Sequence, residues 1–563
     1  MPSDIERILN DFTDARGDRG TWESHWESLA KVMHPRRGGF TSQRAPGSRN
    51  NEDVLDSTPI QARRSLSTAI DGLLKPKTVK WVFVKPDDDG LDQDEEVQEW
   101  TRFVEDAMIK RIYEPKARFS GATGEVDDDL ATFGTGVLSI DDGLRNLQFN
   151  SHHLKYTFLL TNEDGEISGL FRCRQFKARN AEAFFRKKDV TPGTVAQKAL
   201  SEEHPNTMVE YVHVVLPRED RILGSLRPDQ MPWASLWIEV SEKELIFEGG
   251  NQEFPFAIPR WETASGETYG RSPGMVALPD ANTLQAQGRT LLKAGQFAVL
   301  PPIFAPNQSI LGRPRLKSAG ITYYDLQGTI GQGLRQPIFP LQTGSQIPIG
   351  REMQNDTREL VWSAYFKNIL NLPMDGPEMT ATEIIERKEQ FVRTIGPVFG
   401  RLESDYLSPI IERVFSIMFR NGEFGALREG AGPDGQPLMT IPQQLIGKRV
   451  HFEFRSPVER IRKQIEAAAA LKTIQETAVI AEATQDPSVW DNIDRDKAVR
   501  VIDEANASGI LVPVNEVEAR RQARAEQQQA EQEKADAERA IAAGAEVAKG
   551  VESLGNIDIG NVA

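Results

Sequence analysis

Asp127, Asp128 and Asp129 stand in a row, with Asp141 and Asp142 close behind. Clustered carboxylates could hold Mg²⁺ for nuclease chemistry. No Lys or His completes such a site in the sequence around them, and a solvated acidic helix face is the expectation. His152 and His153 are adjacent, so on a strand they face opposite sides and cannot share a metal. They are expected as surface or hydrogen-bonded histidines. The single cysteine, Cys173, excludes an intrachain disulfide and falls on the same side of an alternating segment as Phe171, which makes it a structural thiol. The phosphate-cradling pattern G-x-x-x-x-G-K-[S/T] is absent, as are H-E-x-x-H and paired C-x-x-C. Gly328, Gly331 and Gly333 give G-x-x-G-x-G in a Pro-bounded loop rather than between a strand and a helix. The residues therefore define no active site.

The run from Asp87 to Asp106 holds ten acidic residues and one basic residue, Arg102. Read as a Ca²⁺ loop, with Gly90 sixth, it places Lys85 at the first ligand position, where an ammonium cannot ligate. A solvated helix start is expected instead.

The elements follow from periodicity. Trp22, Trp26, Leu29 and Met33 recur at helical spacing and stop at Pro35; Asp56 to Lys75 repeats the pattern with Ile60, Leu66, Ile70, Leu73 and Leu74. Trp81 to Val84 reads as a strand. Between about 150 and 262 the period changes to two, as in Val209 to Val215 and Leu236, Ile238 and Val240, which predicts an antiparallel sheet with one helical insertion near Ala181–Lys188. Asp280 to Val299 is a helix carrying the small residues Ala281, Ala286, Gly288, Ala294, Gly295 and Ala298, which permit close approach of a neighbouring helix. A Pro- and Gly-rich stretch, Pro301 to Pro348, separates it from a helix over Arg351 to Phe366. A loop from Asn371 to Glu378 leads to a long helix opened by the Thr380/Glu383 capping box, which should kink at Pro397 and Pro409. A strand at Val450–Phe454 and further helices from Pro457 complete the chain.

The 563 residues carry 83 acidic and 67 basic side chains, a formal charge of −16. That balance excludes a static nucleic-acid clamp, which needs a basic surface to release counterions. Asp4, Glu6, Arg7, Asp11 and Asp14 leave no apolar leader core, and Pro301, Pro302 and Pro306 interrupt the longest uncharged run, so a soluble protein made in the cytoplasm is expected.

Several blocks then combine: Trp22-x-x-x-Trp26 with His34-Pro35, Asp56-Ser57-Thr58 with Ala62, Trp81-Val82-Phe83, Phe133-Gly134-Thr135-Gly136, Gly266-Glu267-Thr268-Tyr269-Gly270-Arg271-Ser272-Pro273 leading into Ala277-Leu278-Pro279-Asp280, and the tail from Val517 to Gln529. In this order they resemble the portal, or head-to-tail connector, proteins of short-tailed, podovirus-type bacteriophages. The resemblance implies an α+β, mainly helical fold and no enzyme activity or cofactor. A wing of residues 1–275 and 380–456, with helices and an antiparallel sheet, would surround a two-helix stem at 276–300 and 348–367. A small α/β clip at 301–347, a channel or tunnel loop at 368–379 and a helical crown at 457–563 would complete the subunit. It further implies a ring of about twelve copies at one capsid vertex, assembled in the host cytoplasm. The ring would contact the terminase large subunit, tail adaptor or nozzle proteins, and the major capsid and scaffold proteins, while double-stranded DNA passes through without sequence specificity. Carried onto this sequence, Asn371, Leu372, Pro373, Met374, Asp375 and Gly376 fall at the channel loop. Arg313, Arg315 and Lys317 fall in the clip as partner contacts, and the small residues of the helix from Asp280 serve stem packing. The alternatives are another oligomeric virion protein, such as an internal core or scaffold component, and a metal-dependent nuclease using Asp127–Asp129.

Overall fold

The aromatic stripe of the N-terminal helices sets the centre of the main core. In the computed structural model, α1 (Pro2–Asp18) leads into α2 (Gly20–Met33), which buries Trp26, Leu29 and Met33 completely while Trp22 lies half-buried at the edge. The structure describes residues 2–306 apart from 44, 46, 78–79, 89, 92–93, 144–146, 223–224 and 226. Beyond these it describes 317–324, 338–340, 346–367, 393–425 apart from 395, 440–454, 457–484, 490–506 apart from 491, 511, 517–530 apart from 518, and 534. The chain divides into two compact units, Met1–Arg462 and Lys463–Ala563.

In the first unit, α3 (Thr58–Leu74) packs Leu66, Ile70 and Leu74 inward, and β1 (Val82–Pro86) follows as the spacing predicts. Asp94 caps α4 (Glu95–Ile112), its carboxylate accepting from the amides of Glu96 at 3.0 Å and Val97 at 3.4 Å, so the acidic run is the start of a helix. Next come α5 (Phe119–Phe133), β2 (Leu138–Asp142) and β3 (Leu147–Ser151), with β9 (Phe256–Ala257) on the other edge of β2.

The period-two stretch forms a five-stranded antiparallel meander, β4 (Thr157–Thr161), β5 (Ile167–Lys177), β6 (Met208–Pro217), β7 (Trp233–Glu239) and β8 (Glu244–Asn251), in that order. The insertion between β5 and β6 holds two helices, α6 (Ala178–Arg186) and α7 (Thr194–Ser201), where the sequence suggested one. The second is short and buries only Ala196 and Ala199, too little apolar surface for a helical signal. One face of the sheet, through Phe158, Phe171, Val212, Val214 and Ile238, packs on Leu9 and Phe12 of α1. The opposite face, through Val209, Tyr211, Trp237 and Ile246, packs on α6 and α7.

Helix α8 runs from Pro273 to Val299, starting earlier than the small-residue pattern suggests, because Ser272 caps it by accepting the Met275 amide at 3.1 Å. Pro279 is accommodated near this start. The insertion that follows contains β10 (Ile303–Pro306) between a parallel β11 (Ile321–Tyr324) and an antiparallel β12 (Phe339–Pro340). Helix α9 (Ile347–Ala364) then returns. Pro409 follows a π-helical turn, Glu403–Leu407, where Ser408 donates from both its amide and its hydroxyl to the Glu403 carbonyl, and α10 (Ser408–Arg420) continues beyond it. Strand β13 (Val450–Phe454) pairs antiparallel with β1, joining two segments far apart in the sequence. The Thr380/Glu383 capping box lies outside the described residues.

Helix α11 (Pro457–Thr484) crosses into the second unit. There α12 (Arg495–Asn506) is tied to the helical stretch 519–530 by the Arg521 guanidinium, which donates to both oxygens of Asp496 at 2.7 Å. Among the described residues no helix is long and apolar enough to cross a membrane.

Candidate functional site

The two helices flanking the insertion form an antiparallel pair. A Cβ on Gly350 would stand 2.5 Å from Leu291 Cδ2, and one on Gly288 would stand 3.6 Å from Gln354 Nε2, so position 288 faces 354 and position 291 faces 350. Of the small residues on α8, Ala281 is buried within the subunit and Gly288 faces Leu55 and Gln354. Ala286 and Ala298 are exposed, Ala294 and Gly295 are partly exposed, and a Cβ on Gly295 would meet nothing within 4 Å. Gly350, which the sequence did not single out, leaves the room that the Leu291 side chain fills.

One carboxylate clamps the base of the pair. Asp56 Oδ1 accepts from the Thr58 amide at 2.9 Å and the Thr58 hydroxyl at 2.6 Å, which opens α3. Its Oδ2 accepts from Arg358 Nε and Nη2 of α9 at 2.9 and 2.8 Å. From α8, Gln285 Oε1 accepts the amides of Leu55 and Asp56 at 2.7 and 2.9 Å, while Gln285 Nε2 donates to the Asp56 carbonyl at 2.8 Å. Burial alone would raise the Asp56 pKa, but the Thr58 and Arg358 hydrogen bonds outweigh it and hold the carboxyl below its usual range. The D-S-T sequence signals a local cap, whereas its partners on α8 and α9 lie too far along the chain for spacing to show.

At the far end of α8, the Gln296 and Leu300 carbonyls accept from the Ser318 hydroxyl at 3.2 and 3.1 Å, and Leu300 also accepts the Ala319 amide at 3.1 Å. Lys317 beside them is exposed. Arg313, Arg315 and the Asn371–Gly376 segment lie outside the described residues. Along the pair, Leu292 and Val299 of α8 and Ile349, Met353 and Leu360 of α9 are exposed in the single subunit.

The base of α8 is also set by glycine contacts between two distant sequence blocks. A Cβ on Gly134 would fall 2.4 Å from the Gly270 carbonyl oxygen, and one on Gly270 would fall 2.4 Å from that of Gly134, whose φ is 80°. Thr135 Oγ1 accepts the Gly270 amide at 2.8 Å, and the Ser272 hydroxyl donates to the Thr132 carbonyl at 2.7 Å. Tyr269 fills the space beside Trp22 and Trp26, with ring centroids 5.8 and 5.0 Å away.

The acidic triplet is not a solvated face. Asp127 and Asp129 are buried, and each carboxylate meets a cation from another element: Asp127 the Lys75 ammonium at 2.5 Å, Asp128 Arg63, and Asp129 Arg37 Nε and Nη2 at 3.0 and 2.9 Å. Each carboxylate of the triplet is thus neutralised by a positive side chain of the protein. Among the described residues no group of three or more His, Cys, Asp or Glu side chains is placed to hold a metal ion.

His152 lies 3.0 Å from Ser139 Oγ and 2.8 Å from Arg172 Nη1, and His153 Nε2 lies 2.7 Å from the Arg37 carbonyl, so both are satisfied histidines. Burial raises the Cys173 thiol to about 12, as befits a structural group. Burial, followed by neighbouring guanidinium groups, pushes His34 and His152 down to about 2, His153 down to about 4 and His213 well below its usual value. The unfolded chain therefore binds protons at these four sites first as the pH falls below about 6.5, and each removes up to about 1.4 kcal/mol of stability per pH unit. Burial raises Asp127 to about 6 and Asp129 to about 7, which opposes this trend because the folded state then takes up protons first. His25 is lowered too, and Glu239, Asp405 and Glu412 are raised, but the large shifts, four histidines against two carboxylates, set the sign. The thermal midpoint should fall between pH 7.5 and 5, and a flat profile across that range would refute the assignment of neutral buried histidines.

The site is thus an antiparallel helix pair braced at its base, interrupted by a small β insertion, carried on an α+β body and bearing exposed apolar side chains. The chain belongs to the family of bacteriophage head to tail connecting proteins, whose sequence model matches residues 6–510. It is 27% identical over 536 residues to the portal protein of Salmonella phage epsilon15, covering 93% of this chain and 91% of that one. It is 26% identical over 546 residues to the probable portal protein of Bordetella phage BPP-1, covering 94% and 93% of the two chains. Among solved structures, one chain from the virion of a native gene transfer agent particle aligns at 10% identity and a TM-score of 0.35, over 84% of this chain and 92% of that one.

Proposed function

We propose that the chain is the portal subunit of a phage, forming a ring of about twelve copies at one capsid vertex, through which the genome is packaged and ejected. The observation that carries this reading is family membership across residues 6–510, and the exposed apolar side chains on α8 and α9 fit it. A ring places α8 and α9 of each copy beside those of the next and removes Leu292, Ile349, Met353 and Leu360 from water. On this reading the pair is the stem and the β10–β12 insertion is the clip. Arg313, Arg315 and Lys317 contact the terminase large subunit during packaging and tail adaptor or nozzle proteins afterwards. Asn371–Gly376 form the channel loop, the body is the wing, and the chain from Pro457 is the crown. Capsid and scaffold proteins hold the ring at the vertex, after assembly in the host cytoplasm. A charge of −16 per copy suits a channel in which DNA must slide, since tight phosphate binding would act as a brake.

Native mass with negative-stain imaging tests the reading. A closed species of about twelve times 62.9 kDa, with an axial hole wide enough for duplex DNA, is expected. A monomer that persists at high concentration, also in the presence of its scaffold protein, would overturn it.

A further inference from the structure

The two helices of the α8–α9 pair turn opposite charges away from each other. Gly288 and Leu291 mark the side of α8 that meets α9, and Gly350 and Gln354 mark the facing side of α9. Counting about 100° per residue, Arg289 and Lys293 lie roughly 130–170° round α8 from its facing side, with the exposed Ala286 between them and the back of the helix. Glu352, Asp356 and Glu359 lie roughly 140–180° round α9 from its own facing side. These five charged side chains are exposed and make no ion pair among the described residues. Other charges nearby do not cancel the arrangement. Asp280 stands near the base of α8, and Arg358 is held by Asp56. Arg351 is exposed, but it lies about 100° round α9 from Glu352. Glu52 and Asp53, close in sequence to the Leu55 that meets Gly288, are exposed and pair with neither Arg289 nor Lys293.

Height along the pair matches as well as sign. Position 288 faces 354 and position 291 faces 350, so Arg289 stands level with Glu352. Asp356 is about 5 Å nearer the base than Arg289, and Lys293 is about 5 Å beyond Glu352. Such offsets are within reach of an arginine or lysine side chain. Glu359 falls about 10 Å below Arg289 and has no cation of α8 at its level. Within one subunit the two stripes cannot meet, because the bodies of both helices lie between them.

A cyclic ring sets every copy at the same height and turns one flank of each subunit to the opposite flank of the next. Complementary charge on the two flanks, at matching heights, is what such a head-to-tail contact needs. We infer that the helix pair runs along the ring axis and that the back of α8 in one copy seats against the back of α9 in its neighbour. Arg289 then lies between Glu352 and Asp356 of the next copy, and Lys293 reaches that same Glu352. The inference rests on the ring reading above and deepens it, by fixing which sides of the pair meet and in what register. Ala286 suits the contact, since its short side chain on the α8 flank lets a neighbouring helix approach.

Charge reversal tests it. R289E/K293E and E352K/D356K should each raise the protein concentration needed for ring assembly about tenfold or more at low salt, and by less at high salt. Their thermal midpoints as monomers should hold, because none of the four side chains has an ion-pair partner within the subunit among the described residues. An equimolar mixture of the two variants should recover rings, since copies that alternate present complementary flanks at every contact. A crosslink tests the register separately. A286C/D356C should give an intermolecular disulfide ladder on non-reducing gels, because the two positions are level but lie on the outer sides of two packed helices, too far apart to close within one chain. Either single variant should stay monomeric on the same gel. Reversals that leave assembly unchanged, a mixture that assembles no better than its components, or assembled A286C/D356C rings without a ladder would each overturn the contact. Absence of rings from the wild type itself is the separate failure of the portal reading.

Discussion

Lys75→Met should destabilise the protein by about 3–5 kcal/mol at neutral pH, a loss readable as a fall in the urea midpoint. The Lys75 ammonium and the Asp127 carboxylate are both fully buried, and removing the cation strands a charge that water cannot reach. The loss has a pH signature. Burial already raises Asp127 to about 6, and without Lys75 its folded pKa rises further above that of the unfolded chain. The folded variant then binds a proton that the unfolded chain does not, so its deficit should shrink as the pH falls from 7.5 toward 5 and grow as it rises. Replacing both partners, as in K75M/D127L, should recover most of the stability, since an apolar pair needs no compensation. A double variant as unstable as the single one would show that the ion pair is not the cause.

Gly134→Val should prevent accumulation of folded protein, with an expected cost above about 4 kcal/mol. The added Cβ would lie 2.4 Å from a backbone carbonyl oxygen, which cannot rotate aside, and a branched side chain at φ 80° adds strain of its own. Gly266→Ala is the control, because that glycine also has a positive φ, 82°, but a Cβ there meets nothing within 4 Å. Soluble expression and circular dichroism distinguish them: Gly266→Ala should fold with a modest penalty, and equal behaviour of the two variants would remove the close contact as the explanation.

Periodicity carried much of the fold. The stripe from Trp22 to Met33, the alternation from Val209 to Val215 and the proline punctuation around the insertion all report which side of a segment turns inward, a property of local spacing. Partners across space leave no such trace. Lys75 and Asp127 are separated by 52 positions, and each reads locally as a surface charge. That is why the triplet resembled a solvated face. The same holds for Gly134 with Gly270 and for Asp56 with Gln285 and Arg358, where only the fold supplies the neighbour. Helix α7 failed for a different reason: eight residues with two buried alanines carry too weak a pattern to separate from a loop.

Among the described residues, the buried side chains of the helix pair gather at one end. On α8 the buried positions are Pro273, Gly274, Ala277, Ala281, Leu284 and Gln285, and on α9 they are Thr357 and Val361, so the fixed end is the start of one helix and the finish of the other. Past Gln285, α8 continues for about 20 Å at 1.5 Å per residue without another buried side chain. Mechanically this is a cantilever. In a ring of the kind proposed, neighbouring beams set alongside would add stiffness to the end that lies away from the clamp at Asp56. A closed palisade of such beams would be rigid where each member is compliant, so load applied at the tip would be shared around the whole circumference before it reached the body of any one subunit.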